Sequence, residues 1–203
     1  LGGGNDTVIG GDLDDRIFAA GGANLIYGGG GNDHIEITMV TTGTPADATR
    51  RSQIYGGAGE DHLVVYMTGS AADTLILDEG SNSTGLGSAP LIEGVEAFTV
   101  FVQAGRGATV SLLGTRDNTI YDSGYAGTLT TGSGNDSIYG GYGWDTITSG
   151  DGDDLVDSSA GDDQVSSGAG NDTIYGDRGA DRLSGNEGDD LIQVGLIGLM
   201  DAV

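Results

Sequence analysis

The chain contains no cysteine and no lysine, and only two of its 203 residues are proline. Without cysteine there is neither a disulfide framework nor a thiolate metal site. Seven basic residues, all arginine, stand against 31 acidic ones and leave a net charge of -24. Nucleic acid and anionic membranes attract basic surfaces, so we expect neither as a partner. No apolar run approaches the roughly 20 residues that cross a bilayer. No signal peptide is visible, and we expect the sequence to be a piece of a longer chain.

Glycine and aspartate are abundant: 41 residues are Gly, and 25 of the 31 acidic residues are Asp. Both follow a nine-residue repeat, whose positions we number one to nine. In the seven units of 131–193, position four is always Gly, position six always Asp, and position eight always Ile, Leu or Val. Two weaker units cover 113–130, four more cover 1–36, and a single copy lies at 56–64. A phase kept over so many units argues against disorder.

The repeat predicts a turn followed by a very short strand. Glycine allows the tight backbone of positions one to six, and the side chain at position eight points inward. Two units then complete an 18-residue layer with two parallel strands facing each other across a core. One apolar side chain per nine residues is too little to offset the ordering of the chain, so a second source of stability is needed. The inward residues predicted for the second block are Ile120, Leu129, Ile138, Ile147, Val156, Val165, Ile174, Leu183 and Ile192.

Aspartate at position six is predicted to supply that stability. Residues 18 apart lie above one another in adjacent layers, so Asp136 stacks with Asp154, and Asp15 with Asp33. Stacked bare carboxylates repel each other, whereas a calcium ion between them would be bound by the oxygen ligands that it prefers. We therefore predict about six or more calcium ions, with these carboxylate ligands: Asp6, Asp15, Asp33, Asp61, Asp136, Asp145, Asp154, Asp163, Asp172, Asp181 and Asp190.

Backbone carbonyls in the turns are expected to complete the oxygen shell. The candidates are the position-four glycines Gly134, Gly143, Gly152, Gly161, Gly170, Gly179 and Gly188. Two units depart from the pattern, because position six is Asn118 in one and Gly127 in the other. Calcium is less favoured there and where Asp6 stacks with Asn24. Over the vacant position at Gly127, we predict that three aromatic side chains pack and close the column: Tyr125, Tyr142 and Trp144. The alternative is that Trp144 is simply exposed or contacts a sugar.

The nonamer resembles Gly-Gly-x-Gly-x-Asp-x-aliphatic-x, the signature of the RTX, or haemolysin-type, calcium-binding repeat. Units such as GGYGWDTIT (140–148) and SGAGNDTIY (167–175) carry the resemblance, which covers roughly two-thirds of the chain. It implies an all-β fold, a right-handed parallel β-roll with calcium in its turns. It also implies export by a type I system and folding only after the chain has left the cell.

We expect four regions along the chain. Residues 1–64 form a first repeat block with a loop insertion at 37–53, and residues 113–193 form the second block. Between them, 65–112 is a β-rich segment without the nonamer, interpreted as longer strands that continue the roll without calcium. A small separate sandwich is the alternative for this segment. Residues 194–203 form a C-terminal flank.

Nothing in the sequence predicts catalysis, so we expect no catalytic residue and no enzyme. The only histidines, His34 and His62, do not form a zinc-protease motif and are interpreted as surface residues. A Gly-x-Ser-x-Gly nucleophile motif is absent from the sequence. The position-nine tyrosines are explained by strand propensity, with a glycan-contacting ladder as the alternative. They are Tyr27, Tyr55, Tyr121, Tyr139 and Tyr175.

The expected function is to bind calcium and so fold outside the cell, as part of a secreted or cell-surface protein. Its expected partners are calcium ions and the flanking domains of the parent protein. Two alternatives remain open at this point. One is an accessory region of a secreted protease, lipase or polysaccharide-modifying enzyme. The other is a surface-layer or adhesin component that self-associates or contacts surface glycans.

Overall fold

The computed structural model describes residues 2–41, 52–69, 74–78, 91–104 and 107–195, and none of these residues is helical. Most strands follow a glycine-rich turn, as the repeat predicts. The described residues form nineteen strands: β1 (Thr7–Gly11), β2 (Arg16–Ala20), β3 (Leu25–Gly30), β4 (His34–Thr41), β5 (Gln53–Ala58), β6 (His62–Gly69), β7 (Thr74–Asp78), β8 (Leu91–Glu93), β9 (Ala97–Ala104), β10 (Thr109–Leu113), β11 (Thr119–Asp122), β12 (Thr128–Thr131), β13 (Ser137–Tyr139), β14 (Thr146–Asp151), β15 (Leu155–Asp157), β16 (Gln164–Ala169), β17 (Thr173–Asp177), β18 (Arg182–Glu187) and β19 (Leu191–Val194).

These strands form three parallel sheets around one continuous core. A nine-stranded sheet, in the order β19-β17-β15-β13-β11-β9-β6-β4-β2, runs through both repeat blocks. A four-stranded sheet, β1-β3-β5-β8, lies opposite its first part. A six-stranded sheet, β18-β16-β14-β12-β10-β7, lies opposite the rest. The predicted fold class, an all-β parallel roll, is confirmed.

Strand register shows the 18-residue layer that the nonamer predicts. Ile138 pairs with Val156, and Ile147 pairs with Val165. The offset grows to 28 residues where Ile35 pairs with Leu63, because the sequence between these two strands is ten residues longer than in a regular layer. Of the predicted inward residues, the seven from Ile120 to Ile174 are at most 2% exposed, whereas Leu183 is partly buried. Ile192 is 43% exposed, because β19 is the last strand of its sheet.

Strands of the 65–112 segment pair with both repeat blocks. In the nine-stranded sheet, β9 pairs with β6 on one side and with β11 on the other. On the opposite side, β8 is the last strand of the four-stranded sheet, and β7 is the outermost strand of the six-stranded one. Opposite the nine-stranded sheet, the four-stranded sheet therefore ends and the six-stranded sheet begins within this segment.

The predicted loop insertion at 37–53 begins too early. Residues 37–41 continue β4, and Met39 is 4% exposed within the core. The physical reason is the alternation of Ile35, Ile37 and Met39, which places all three on the inward face in register with Leu63, Val65 and Met67. β5 begins at Gln53. Residues 42–51 of this insertion and 196–203 of the predicted flank lie outside the described residues.

Close stacking of layers depends on glycine in the turns. Gly152 has a φ of 128°, a conformation that favours glycine, and a Cβ there would collide with the carbonyl oxygen of Gly134 one layer below. The described parts of the chain contain no helix long and apolar enough to cross a membrane.

Candidate metal centres

The position-six residues form two columns. Each of them directly precedes the first residue of a strand, and these strands stack in register. The column that leads into the nine-stranded sheet contains Asp15, Asp33, Asp61, Glu96, Asn118, Asp136, Asp154, Asp172 and Asp190. On the opposite side, Asp6 and Asn24 precede β1 and β3, while Gly127, Asp145, Asp163 and Asp181 precede strands of the six-stranded sheet.

Where successive layers both carry an acid in the column, a hydrogen bond to one carboxylate oxygen joins them. The backbone N–H of Asp136 donates to Oδ1 of Asp154 at 2.8 Å, and that of Asp154 donates to Oδ1 of Asp172 at 2.9 Å. The same bond joins Asp33 to Asp61 at 2.7 Å, although 28 residues separate them. The insertion in the first block therefore leaves the column unbroken.

The second carboxylate oxygen, Oδ2, is buried in most of these residues and has no hydrogen-bond partner. Such an uncompensated buried charge is costly, so an ion or a proton is needed to neutralise it. A hard divalent cation with oxygen ligands fits this donor set, since the facing atoms are carboxylate and carbonyl oxygens. Within the described part of the chain, the residues with an unpartnered Oδ2 are Asp33, Asp61, Asp122, Asp136, Asp145, Asp154, Asp163 and Asp172.

Four predicted ligands are only partly buried: Asp6, Asp15, Asp181 and Asp190. They lie in the first and last described layers, where no further layer covers them. Asp6 donates its N–H to Oδ1 of Asn24 at 3.0 Å, so these two residues stack in adjacent layers as the sequence predicts. Asp190 accepts the N–H of Asp172 at 3.1 Å and belongs to the last strand pair of the long sheet.

Burial changes the acid strength of the column. It raises the pKa of Asp136 and Asp145 to about 7, and that of Asp154 to about 6. Backbone N–H bonds oppose this rise, while repulsion from the neighbouring carboxylates adds to it. Burial is also the main cause that raises the pKa of Asp61, Asp122 and Asp163.

At position one of the repeat, a carbonyl oxygen of the next layer lies close to an unpartnered carboxylate oxygen. A Cβ on Gly140 would stand 2.9 Å from Oδ2 of Asp145 and 3.0 Å from the carbonyl oxygen of Ser158. In other units a small hydroxyl fills this space, and that of Thr131 donates to the carbonyl of Ser149 at 2.7 Å. Oxygen atoms from two layers therefore converge next to Asp145, and the same holds beside Gly28 for Asp33 and beside Gly56 for Asp61.

The position-four glycines also stack between layers. The carbonyl oxygen of Gly143 lies against Gly161, where a Cβ would also be 2.8 Å from Oδ1 of Asp163. At Gly179, the corresponding neighbours are the Gly161 carbonyl and Oδ1 of Asp181, the latter at 3.0 Å. Three further carbonyls, those of Gly134, Gly152 and Gly170, lie against the glycine one layer further along. Gly188 is the last glycine of this stack and lies against the carbonyl oxygen of Gly170.

Sequence reasoning missed two carboxylates. Glu96 occupies the position of a repeat Asp, since its Oε2 accepts the N–H of Asp61 at 2.8 Å. Asp122 is 5% exposed and directs its Oδ2 toward Gly127. Neither could be found from the motif: Glu96 lies 35 residues from Asp61, and Asp122 stands at position one instead of six. The sequence feature that could have revealed Asp122 is an acidic residue at position one, where the units from 131 onward have Gly, Ser or Thr.

The predicted aromatic closure over Gly127 is wrong. Tyr125 and Tyr142 are each 65% exposed, and Trp144 is 70% exposed. Tyr125 and Tyr142 form a backbone bridge in the outer turns, which keeps their rings at the surface. The space beside Gly127 is occupied by the Asp122 carboxylate instead.

The outward aromatic side chains form a stack along the nine-stranded sheet. Ring centroids are 4.9 Å apart for Tyr66 and Phe101, 5.0 Å for Phe101 and Tyr121, and 4.7 Å for Tyr121 and Tyr139. These rings are nearly parallel and stack face to face, while Tyr121 remains 39% exposed. This arrangement supports strand stabilisation as the role of the position-nine tyrosines.

No group of three or more His, Asp or Glu side chains that could hold a metal is found among the described residues. Each candidate centre is built from paired carboxylates and backbone oxygens, stacked in layers. The profile of the RTX calcium-binding nonapeptide repeat, in four copies, matches residues 2–35, 121–156 and 157–192, just over half of the chain. The chain belongs to the RTX calcium-binding repeat family. Its fold is that of an RTX parallel β-roll, and the family's repeat binds calcium as a structural unit.

The RTX profile matches both repeat blocks, but it leaves out the copy at 56–64 and the segment that follows it. A comparison with curated proteins gives no match. The two histidines of this RTX chain lie on adjacent strands, with ring centroids 5.4 Å apart, on the outer face of the nine-stranded sheet.

Proposed function

We propose that this RTX chain is the calcium-dependent folding region of a larger secreted or cell-surface protein, and that it folds outside the cell. The observation that carries the proposal is the series of buried Asp Oδ2 atoms without partners. Eight such carboxylates, at most 5% exposed, lie in a protein whose net charge is -24. Charge of this kind is tolerated in a packed interior only with a neutralising partner.

Calcium would be held by the position-six carboxylates of successive layers and by turn carbonyls. The interior members of the columns, such as Asp136, Asp154 and Asp172, would each contribute to the layer below and the layer above. When bound, calcium supplies positive charge that neutralises these carboxylates and draws oxygen atoms of two layers together. Asp6, Asp15, Asp181 and Asp190, in the outer layers, would hold calcium less tightly.

Thin apolar burial makes folding depend on this charge. Along the second block, each nonamer contributes one inward aliphatic side chain, and its other buried side chains are small or polar, such as Ser149 and Ser167. Extracellular calcium modules have dissociation constants of about 10⁻⁴–10⁻³ M, far above the free calcium of a cell interior. The chain would therefore stay extended before export and fold afterwards, which suits passage through a secretion channel.

A calcium titration followed by circular dichroism tests this function. In excess chelator the far-ultraviolet spectrum should be that of a largely unfolded chain, and millimolar calcium should produce a β-sheet spectrum in one cooperative transition. Magnesium at the same concentration is the control, because it demands a tighter octahedral geometry and gives up water reluctantly. A full β-sheet spectrum in chelator would overturn the proposal.

A further inference from the structure

One repeat unit lacks the carboxylate on which the columns depend. In residues 122–130, position six is Gly127, so the stack that continues through Asp145, Asp163 and Asp181 begins without an acid. The same unit is unusual at position one, where Asp122 replaces the Gly, Ser or Thr of the units from 131 onward. Both departures fall in one unit, five residues apart in sequence.

The structure brings these two departures together. A Cβ on Gly127 would stand 2.7 Å from Oδ2 of Asp122 and 3.5 Å from Oδ1 of Asp145. The Asp122 carboxylate thus occupies the space that an aspartate side chain at position 127 would take. Asp122 is 5% exposed and Asp145 is 2% exposed, so both carboxylates are inside the roll.

Hydrogen bonding leaves one oxygen of each carboxylate free. Oδ1 of Asp122 accepts the N–H of Gly124 at 2.6 Å, and Oδ1 of Asp145 accepts the N–H of Gly127. The Oδ2 atoms of both residues are buried and have no partner. The N–H bond that joins regular layers is therefore also present here. The only difference is that the second carboxylate belongs to Asp122 and not to a position-six residue.

We infer that Asp122 and Asp145 together form a cation site in which a position-one carboxylate replaces the missing position-six one. The ligand class is a divalent cation that prefers oxygen, and calcium is the ion for which the neighbouring layers are built. This inference rests on the proposed function and deepens it, since it adds a ligand that the repeat motif does not contain. It extends the cation sites of the second block by one layer, toward β10 and the β-rich segment.

The test removes the carboxylate at position 122 or moves it to position 127, where regular units carry it. Asp122→Asn keeps an oxygen for the Gly124 N–H and removes the negative charge. Asp122→Gly combined with Gly127→Asp returns the carboxylate to position six and clears the space that Asp122 fills. The matched control is Asp117→Asn, an exposed acid whose Oδ1 accepts the Asn135 N–H at 2.7 Å, as an asparagine oxygen would also do.

Calcium ions bound per chain would be counted by native mass spectrometry at saturating calcium, and calcium midpoints would be followed by circular dichroism. We expect Asp122→Asn to bind one ion fewer and to have a severalfold higher midpoint. The exchanged double variant should regain the wild-type count, and Asp117→Asn should match the wild type in both measurements.

Asp122→Asn with an unchanged ion count and midpoint would overturn the inference, and so would a folded double variant that still binds one ion fewer. These results are distinct from failure of the proposed function, in which the wild-type chain itself would bind no calcium. Because both variants are compared at saturating calcium, where the other layers remain bound, the count can be read even if Asp122→Asn needs more calcium to fold.

Discussion

The N–H of Asp136 donates a hydrogen bond of 2.8 Å to Oδ1 of Asp154, one layer further along the roll, while Oδ2 of Asp154 is buried without a partner. One side chain therefore performs two tasks. Its first oxygen fixes the stacking of layers, and its second is available to a cation. The next layers repeat the arrangement, since Asp154 donates to Asp172 and Asp172 donates to Asp190, so the bonds form a chain along this part of the roll.

Interior and terminal members of this column should differ in their response to mutation. Asp154→Asn keeps the N–H acceptor and removes a charge shared by two layers, whereas Asp190→Asn affects one described layer. At a tenfold excess of calcium over Kd, each lost site lowers the free energy of unfolding by about 1.4 kcal/mol. We expect a loss of about 3 kcal/mol for Asp154→Asn and about half of that for Asp190→Asn.

Urea unfolding in calcium measures both losses. Asp153→Asn is the control, since Asp153 is exposed and its Oδ1 accepts the Asn171 N–H at 2.7 Å in the way an amide oxygen would. Equal losses for the interior and terminal variants would contradict the shared role of Asp154.

Glycine at position four should be required for layer stacking. Gly152→Ala places a Cβ against the Gly134 carbonyl at a φ of 128°, so we expect a loss of about 1–3 kcal/mol. Gly3→Ala is the control, because no atom lies within 4 Å of the added Cβ. Thermal unfolding in calcium compares them, and a Gly152→Ala protein as stable as Gly3→Ala would refute the close contact.

Acidification should help the calcium-free chain to fold. Burial raises the pKa of Asp136 and Asp145 to about 7 and that of Asp154 to about 6, above the ordinary 3.8. The folded state therefore binds protons that the unfolded state does not, and its stability increases as the pH falls from about 7 toward 4. Calcium must displace these protons, so its apparent affinity should decrease over the same range.

Circular dichroism in chelator from pH 8 to pH 5 measures this effect directly. We expect the β-sheet signal in chelator to increase on acidification. In a separate calcium titration without chelator, the calcium midpoint should rise over the same pH range. A β-sheet signal in chelator that does not increase as the pH falls through this range would contradict the raised pKa values of these carboxylates.

Periodicity alone was enough to predict most of the fold. The nine-residue spacing of Gly, Asp and an aliphatic residue predicts the 18-residue layer, the inward residues from Ile120 to Ile174 and the stacked pairs such as Asp145 with Asp163. These features depend on the same turn and strand repeating every nine residues. Two residues that are 18 apart in the sequence therefore stack in adjacent layers.

What sequence reasoning missed lies where that separation changes. Asp33 and Asp61 stack across 28 residues, and Asp61 and Glu96 across 35, because more residues separate these positions in the sequence than the 18 of a regular layer. At Gly127 the spacing is intact but the carboxylate comes from Asp122. A motif records residue types at fixed positions, so it cannot show that another position supplies the same group in space.

A crystal structure of the calcium-loaded chain, with ions located by anomalous scattering, tests the central claim most directly. The account predicts ions within the usual 2.3–2.6 Å of the Oδ2 atoms of Asp33, Asp136, Asp154 and Asp172. The exposed acids Asp117, Asp153 and Asp189 serve as an internal comparison, since they lie on the outer side of the same turns. Calcium bound only to these outer acids, with the buried Oδ2 atoms left unligated, would contradict it.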